Sequence, residues 1–324
     1  MSQSRLLGPA DIRRLATRAN LRPSKARGQN FVHDANTIRR IVAVAGVLPG
    51  EPVLEIGPGL GSLTLGLLAA GARVHAIEVD HRLANQLPTT VAELATPQAT
   101  GRLTVQLADA LRLTAADLPE PPAALVANLP YNIAVPVLLH TLEVLPSIWH
   151  GLVLVQLEVA ERLAGLPGTS NYGAPSAKLA WYATTRLAGR VARSVFWPVP
   201  NVDSGLVAFV RHGAGGGGSA ASQRPGPEGP GLAGPGPDGM GPDGMGPDGM
   251  GLGSAAERQA TFAVIDAAFA QRRKMLRSAL SGIAGSAMAA EMALRQAGVD
   301  PAARGETLSV GDFRRIATIL AGNR

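Results

Sequence analysis

Cysteine is absent from the 324 residues, and lysine occurs only at Lys25, Lys178 and Lys274. The lack of cysteine excludes disulfides and thiolate metal sites. The six histidines are scattered without metal-ligand spacing, so we expect no bound metal. No charged-then-apolar leader opens the chain and no apolar run is long enough to span a bilayer. These absences predict a soluble, cytoplasmic protein.

Positive charge comes mainly from arginine. The net charge is +6 and the sequence pI is about 10.4, which suggests a polyanionic partner. A G+C-rich coding sequence would also favour arginine over lysine, so part of this excess can be compositional. Near the N-terminus, Asp11 alone faces seven basic residues: Arg5, Arg13, Arg14, Arg18, Arg22, Lys25 and Arg27. The stretch is either a solvated helix and tail or an arm that contacts phosphates.

The segment from Glu51 to Asp80 predicts a strand–helix–strand unit. Val53 to Ile56 is a short apolar run that ends at a glycine-rich turn. Four leucines then follow with the spacing of a buried helix, at positions 63, 65, 67 and 68, and Val74 to Val79 predicts a second buried strand. Parallel strands need a crossover of this size, so we expect a βαβ unit.

The turn of this unit suggests a site for a nucleoside cofactor, although a tight strand–helix turn is the plainer alternative. Gly57, Gly59 and Gly61 permit a sharp bend and leave no Cβ between backbone and ligand. Glu78 ends the second strand, where such folds bind a ribose hydroxyl. The spacing departs from the G-x-G-x-x-G dinucleotide pattern. Starting at Glu55, it resembles motif I of S-adenosylmethionine-dependent methyltransferases.

Helices and strands alternate around this unit. Asp34 is the predicted N-cap of a helix that buries Ile38 and Ile41. After Asp80 we predict helices over Leu83–Leu94, Ile133–Leu145 and Glu158–Leu163, and strands over Leu103–Leu107, Leu125–Ala127, Leu152–Val155 and Leu206–Val210. Functional residues of open α/β sheets collect at the carboxyl ends of strands, which is where Glu78, Asp109 and Asn128 fall.

The tetrapeptide Asn128-Leu129-Pro130-Tyr131 suits methylation of an exocyclic amino group, although it could be a simple turn. The N6 lone pair of adenine is delocalised, so the nitrogen needs orientation. The Asn128 oxygen and the Leu129 carbonyl can accept the two N6 hydrogens, and Pro130 can turn that carbonyl inward. Tyr131 offers a face for stacking, which is worth roughly 1–3 kcal/mol per base.

Three later segments complete the sequence. Two alternating prolines in the segment from Val195 to Ser204 rule out a central strand there and suggest a rigid loop. Residues 213–253 are rich in Gly and Pro with almost nothing apolar to bury, so we expect a disordered linker. A helix then carries an apolar stripe from Phe262 to Leu280. Its later turns hold Arg272, Arg273, Lys274 and Arg277, as a solvated face or a phosphate-binding cluster.

Together these segments resemble the bacterial small-subunit rRNA adenine N6-dimethyltransferase family. The matching stretches include GQNFVHD, VLEIGPGLGSLT, AIEVD, NLPYNIAVPVL, VFWPVPNVDS, DAAFAQRRKMLR and LSVGDF. The resemblance implies contacts to S-adenosylmethionine at Asn30, Val32, Gly57, Gly59, Glu78, Asp109 and Asn128. Glu78 would bind the ribose hydroxyls, Asp109 the cofactor adenine and Gly57 the methionine end. It also makes Phe196 the second face of an aromatic clamp opposite Tyr131.

We therefore expect a Rossmann-like α/β methyltransferase domain over residues 1–211, a linker over 212–254 and a small all-α RNA-binding domain over 255–324. The resemblance implies dimethylation of two adjacent adenosines in the 3′-terminal hairpin loop of 16S rRNA, by a monomer acting on the small subunit or its precursor. The expected RNA contacts are Arg22, Lys25, Arg27, Arg272, Arg273, Lys274 and Arg277. The alternatives are a large-subunit methyltransferase of the macrolide-resistance type, a non-catalytic assembly factor and, least consistent with NLPY, a dehydrogenase.

Overall fold

A seven-stranded mixed sheet forms the centre of the protein. The computed structural model describes residues 4–21, 30–130, 133–213 and 253–322. The strands are β1 (Phe31–Val32), β2 (Pro52–Ile56), β3 (Arg73–Glu78), β4 (Leu103–Leu107), β5 (Ala124–Asn128), β6 (His150–Gln156), β7 (Ala183–Val191), β8 (Phe196–Trp197) and β9 (Ser204–Arg211). The order in the large sheet is β4-β3-β2-β5-β6-β9-β7.

Five strands of this sheet, from β4 to β6, are mutually parallel. Strand β9 lies antiparallel between β6 and β7. Strand β7 therefore runs in the same direction as β6, and its carboxyl end lies at the same edge of the sheet as those of β2, β3 and β5. Functional groups of such sheets gather at this edge.

Helices cover both faces of the sheet. In the N-terminal two thirds they are α1 (Pro9–Arg18), α2 (Ala35–Ala45), α3 (Ser62–Ala69), α4 (His81–Leu94), α5 (Pro97–Thr100), α6 (Ala134–Val144), α7 (Leu157–Leu163) and α8 (Ala174–Leu179). Side chains alternate along each strand, so Val53 packs into the core under α1 to α4 while Leu54 packs into the core on the other face. Strands buried on both faces have the continuous apolar runs seen in the sequence.

Local sequence explains where these helices begin. The predicted N-cap is confirmed: the Asp34 carboxylate accepts a hydrogen bond from the Thr37 amide at 2.7 Å. Helix α2 ends at Gly46, whose φ of 64° is left-handed. Helix α3 has no polar face, and it is buried from Ser62 to Leu68 between the sheet and α2.

The proline-rich segment contains a short strand that the sequence did not predict. Two residues of β8 pair with β1, in the register Phe31 to Trp197 and Val32 to Phe196. The prediction that this segment is no central strand holds, because the pair lies outside the large sheet. It places β1 over the glycine turn after β2, where the Ser62 hydroxyl donates to the Val32 carbonyl at 2.5 Å.

The C-terminal region is helical as predicted, with one correction. Its helices are α9 (Ala255–Ala270), α10 (Leu276–Ala279), α11 (Ser281–Ala284), α12 (Ala287–Gln296) and α13 (Val310–Gly322). The prediction of one continuous helix from Phe262 to Leu280 is wrong, because α9 ends at Ala270 and residues 271–274 form a turn. The basic cluster therefore lies in this turn and at the start of α10. A capping box opens α13, with Ser309 and Asp312 bonded reciprocally.

The C-terminal helices pack on the sheet domain and share core residues with it. Tyr172, which precedes α8, donates its hydroxyl to the Leu308 carbonyl at 2.8 Å and contacts the Phe269 ring edge-on. Phe262 packs edge-on against both Trp181 and Tyr182. The predicted fold class, a Rossmann-like sheet with a C-terminal helical region, is confirmed. The domain boundaries stay predictions, and the predicted linker falls almost entirely on residues 214–252, outside the described residues.

None of the helices in the described ranges is long and apolar enough to cross a membrane.

Candidate active site

A cavity of about 470 Å³ opens at the carboxyl ends of β2, β3 and β5. This volume is in the range of small-molecule sites. Its wall includes Asn30, Phe31, Val32, Glu55, Gly57, Pro58, Gly59, Ser62, Glu78, Asp80, Asn128, Pro130 and Ile133. Of the cofactor contacts that the sequence predicted, six therefore lie together here.

The glycine turn forms the floor of the cavity and leaves no room for side chains. Gly57 and Gly59 have φ values of 70° and 59°, in the left-handed region that favours glycine. A Cβ on Gly59 would lie 2.8 Å from Phe31 Cε1. The turn is therefore pressed against β1, and its backbone is held by the amide of Gly57, which donates to the Ile77 carbonyl at 2.9 Å.

Glu78 is fixed by the backbone around it. One carboxylate oxygen accepts from the Gly59 amide at 3.1 Å, and the other accepts from the amides of Val79 and Asp80 at 2.9 and 3.0 Å. Burial raises the pKa of Glu78, although these three amides oppose the shift. The carboxylate thus ties the glycine turn to the end of β3 and is aimed into the cavity.

Glu55 is a second acid in the cavity wall, and no pattern in the sequence indicated a role for it beyond the glycine motif. It is 1% exposed, and its Oε2 has no hydrogen-bond partner among the residues that the structure describes. Burial raises the pKa of Glu55 to about 8, with a further increase from the charge of Glu78 and an opposing contribution from Thr64. The position before the turn was the only sequence signal, because its burial depends on packing against α3.

The cavity wall has a clear electrostatic character. Glu55, Glu78 and Asp80 contribute three carboxyl groups, and the lining residues that the structure describes include no arginine or lysine. Asp80 caps α4 and pairs with Arg82 at 3.1 Å. Arg82 offsets the charge of Asp80, and the raised pKa of Glu55 keeps that acid protonated near neutral pH. Glu78 is therefore the main carboxylate charge in the wall that would attract a positively charged ligand.

Asn128 lies at the end of β5, and its side-chain orientation is defined by a hydrogen bond. Its Nδ2 donates to the Asn30 carbonyl oxygen at 3.0 Å. With the amide nitrogen committed to that carbonyl, the Asn128 Oδ1 is the atom left to accept a hydrogen bond from a ligand. Asn30, which the resemblance assigns to the cofactor, therefore also positions Asn128.

The other predicted catalytic residues are less accessible. The Leu129 side chain is buried, and its amide donates to the Leu154 carbonyl at 3.0 Å. Pro130 lies on the cavity wall, whereas Tyr131 is outside the described residues. Phe196 is fully buried in the core, so in this conformation its ring offers no face to a base. Sequence cannot show this burial, because it arises from the pairing of β8 with β1.

Asp109 lies apart from the other predicted cofactor contacts. It is exposed at the end of β4, two strands from β2, and its carboxylate accepts from the Leu111 amide at 2.9 Å. It is not among the described residues of the cavity wall. A ligand that bound both Gly57 and Asp109 would have to extend across the end of β3.

The predicted RNA contacts divide into two groups. Arg22, Lys25 and Arg27 fall outside the described residues. In the C-terminal cluster, Arg272 pairs with Glu306 at 2.9 Å and donates to the Ser170 carbonyl at 2.9 Å, while Arg277 lies 3.7 Å from Glu291. Arg273 and Lys274 are exposed and form no ion pair with any residue in the described ranges.

Comparisons with known proteins show the family of the chain. Residues 20–215 match the family described as ribosomal RNA adenine dimethylase. The chain is 56% identical to ribosomal RNA small subunit methyltransferase A of Thermobifida fusca, over 98% of this chain and 96% of that protein. It is 54% identical to the protein of the same name from Leifsonia xyli, over 98% and 99%.

Two solved structures have a similar fold. The 23S rRNA methyltransferase ErmE aligns with a TM-score of 0.57 at 24% identity, over 90% of this chain and 99% of that one. A dimethyladenosine transferase from Plasmodium falciparum aligns with a TM-score of 0.64 at 19% identity, over 88% and 95%. Both likenesses support the fold described above.

Proposed function

Because the chain belongs to the ribosomal RNA adenine dimethylase family, we propose that it transfers methyl groups from S-adenosylmethionine to N6 of adenosines in ribosomal RNA. The specific substrate we propose is the pair of adjacent adenosines in the 3′-terminal hairpin loop of 16S rRNA, within the small subunit or its precursor. The relatives that match over nearly the whole chain are named small-subunit methyltransferases, which supports this choice.

The residues of the cavity fit S-adenosylmethionine. When bound, this cofactor supplies an electrophilic methyl group on a positively charged sulfonium. Glu78, held between the glycine turn and the end of β3, would bind the ribose hydroxyls. The negative charge of Glu78 suits the cationic cofactor, and the glycines at positions 57 and 59 place no side chain between the turn and a bound ligand.

The observation that carries the proposal is the hydrogen bond from Asn128 Nδ2 to the Asn30 carbonyl. It leaves Asn128 Oδ1 as the acceptor for one N6 hydrogen of adenine, and the Leu129 carbonyl would accept the other. These two acceptors hold the N6 lone pair toward the methyl group, so positioning rather than a strong base supplies the catalysis. The N6 proton leaves after the new carbon–nitrogen bond has formed.

The test is a methylation assay with purified protein, S-adenosylmethionine and small subunits from cells that lack this gene. Primer extension should show new stops at two adjacent adenosines of the 3′-terminal loop, and restoring the gene should restore the same stops in cells. Methylation confined to large-subunit rRNA would support the macrolide-resistance type instead. Subunit binding without methyl transfer would support a non-catalytic assembly factor.

A further inference from the structure

Five exposed arginines lie where α2 meets the edge strand β7. They are Arg39 and Arg40 on α2, Arg186 and Arg190 on β7, and Arg193 in the turn that follows β7. Arg40 donates to the Arg190 carbonyl at 2.6 Å, which joins the two elements directly. We call these five residues the β7 surface.

The β7 surface keeps most of its positive charge. The Arg190 side chain reaches over the edge to the face covered by α7, where it lies 3.3 Å from Glu161. The other four arginines form no ion pair with any of the residues that the structure describes. The Asp203 carboxylate accepts a hydrogen bond from the backbone amide of Arg193 at 2.9 Å. The N-terminal helix differs, because there Arg14 and Arg18 both pair with Glu93.

The β7 surface is connected to the cavity. Because β7 runs in the same direction as β6, Arg190 and Arg193 lie at the edge of the sheet where the cavity opens. From Arg193 the chain passes into β8, and Trp197 pairs there with Phe31, a residue of the cavity wall.

An aromatic surface lies between the arginines and the cavity. The Trp197 ring is partly exposed and stacks on Phe31, with 6.4 Å between ring centroids and 26° between ring planes. In the same loop Val199 and Val202 are 56% and 46% exposed. Arginines interleaved with exposed aromatic and apolar groups are typical of surfaces that bind unpaired RNA.

We propose that the β7 surface binds phosphates of the RNA strand flanking the target adenosine, and that an unpaired base of this strand stacks on Trp197. This rests on the proposed function, since it assumes an RNA substrate. The competing explanation is that arginines on an exposed edge strand prevent edge-to-edge pairing with other molecules. That explanation concerns Arg186 and Arg190 but gives no role to Arg39, Arg193 or Trp197, which lie off the strand.

The test compares R39Q/R186Q/R193Q with wild type in binding to unmethylated small subunits over a range of salt concentrations. Each lost phosphate contact removes about 0.7 from the slope of log K against log salt for a single strand, so the slope should flatten by about two. The control is R73Q, which removes a charge at the amino end of β3, on the opposite edge from the cavity. Its slope should match wild type. If the triple variant unfolds, R186Q and R193Q are measured singly, with about 0.7 expected from each.

Trp197 gives an independent readout. Binding of an oligonucleotide with the loop sequence should quench tryptophan fluorescence in wild type, and W197F should lose most of that quenching. Parallel salt slopes, or equal quenching in W197F, would overturn the proposal. If the salt slopes of wild type and the triple variant are parallel and R186Q self-associates, the arginines serve to prevent the edge strand from pairing with other molecules. If the slope of the triple variant flattens as expected but the wild-type protein methylates no rRNA adenosine, the proposed function fails while the RNA surface stands.

Discussion

At the scale of single residues, the pair of acids in the cavity is the feature with the clearest consequence for pH dependence. Glu55 should be protonated in the folded protein near neutral pH, because burial raises its pKa to about 8 from 4.5. An acid whose pKa is raised on folding contributes full stability below pH 4.5, and this contribution is lost as the pH rises through 8. Without ligand, the folded protein should therefore lose stability between these two values.

E55Q tests this directly. The glutamine cannot ionise, so between pH 5 and pH 8 the unfolding free energy of wild type should fall relative to that of E55Q, by up to roughly 1.4 kcal/mol per pH unit. Denaturant titrations at four pH values in this range give the measurement. The same comparison with E158Q, at an exposed site, should show no such divergence. Parallel curves for wild type and E55Q would mean that Glu55 is ionised in the folded state.

Asn128 should matter for methyl transfer more than for RNA affinity. Asn128→Ala removes the acceptor for one N6 hydrogen, so the single-turnover rate on small subunits should fall about a hundredfold or more. The affinity for small subunits should change little. Asn171→Ala, at an exposed loop site, is the control and should keep the wild-type rate. A normal rate in the Asn128 variant would remove that residue from the orientation of adenine.

The sequence was informative about residues whose role follows from position in a strand. Glu78 and Asn128 could be placed at the functional edge because each ends a recognisable apolar run. The unpartnered oxygen of Glu55 and the burial of Phe196 could not be predicted, since each depends on which element packs on top of it. For the same reason the bond between Asn128 and Asn30, residues 98 apart in sequence, was not visible in any local pattern.

At the scale of secondary-structure elements, buried strands were predicted closely and the edge strand β7 was missed. Strands β2 and β5 are nearly continuous apolar runs, so they stand out in the sequence. Strand β7 mixes Thr, Arg, Ala and Gly, and only Ala183 and Val191 at its ends are buried. A bulge between Leu187 and Gly189 also interrupts its two-residue period. The strand that carries Arg186 and Arg190 was not predicted because it lies at the edge of the sheet, and not because of the strand propensity of its residues.

The break after α9 has a similar cause. Leu276 and Leu280 are fully buried, as the apolar stripe predicted, but Leu276 begins α10 and Leu280 is its C-cap, so neither continues α9. Apolar spacing identifies which residues face a core. A turn of four residues can end the helix and still leave the apolar residues at helical spacing. The consequence is that Arg273 and Lys274 project from a turn.

Helix α13 provides a prediction at this scale. Ser309→Ala removes the hydroxyl that accepts from the Asp312 amide at 3.2 Å, so the protein should lose about 1 kcal/mol of stability. Thr318→Ala on the same helix is the control, because its hydroxyl donates only within the helix and caps nothing. Chemical denaturation should separate the two variants. Equal losses would mean that the cap contributes no more than an ordinary exposed hydroxyl.

At the scale of the whole molecule, RNA binding should depend on separate basic surfaces. Arg272 is already held by Glu306, so the cations available in the C-terminal cluster are Arg273 and Lys274. R273Q/K274Q should flatten the salt dependence of small-subunit binding by about 1.5 and leave cofactor affinity unchanged. R295Q, whose arginine pairs with Glu291 at 2.8 Å, is the control. A slope equal to that of wild type would mean that the cluster is a solvated turn that contacts no phosphates.

The losses of salt dependence from R273Q/K274Q and from the β7-surface variant should add, because the two sets of residues share no partner in the described part of the chain.

The alternation of helices and strands predicted the fold class, but it could not predict the order of the strands in the sheet. No local pattern indicates that the last strand, β9, lies inside the sheet while β7 forms its edge.

That position of β9 also determines how the sheet can form during synthesis. Strands β6 and β7 leave the ribosome first and do not pair with each other. Strand β6 can pair with β5, but its other edge and the whole of β7 find their partner only when residues 204–211 emerge. Until then the β6 edge and the apolar face that Phe209 will cover remain open. The sheet is therefore completed late in synthesis. A nascent chain that pauses before residue 204 should expose this apolar surface and bind chaperones.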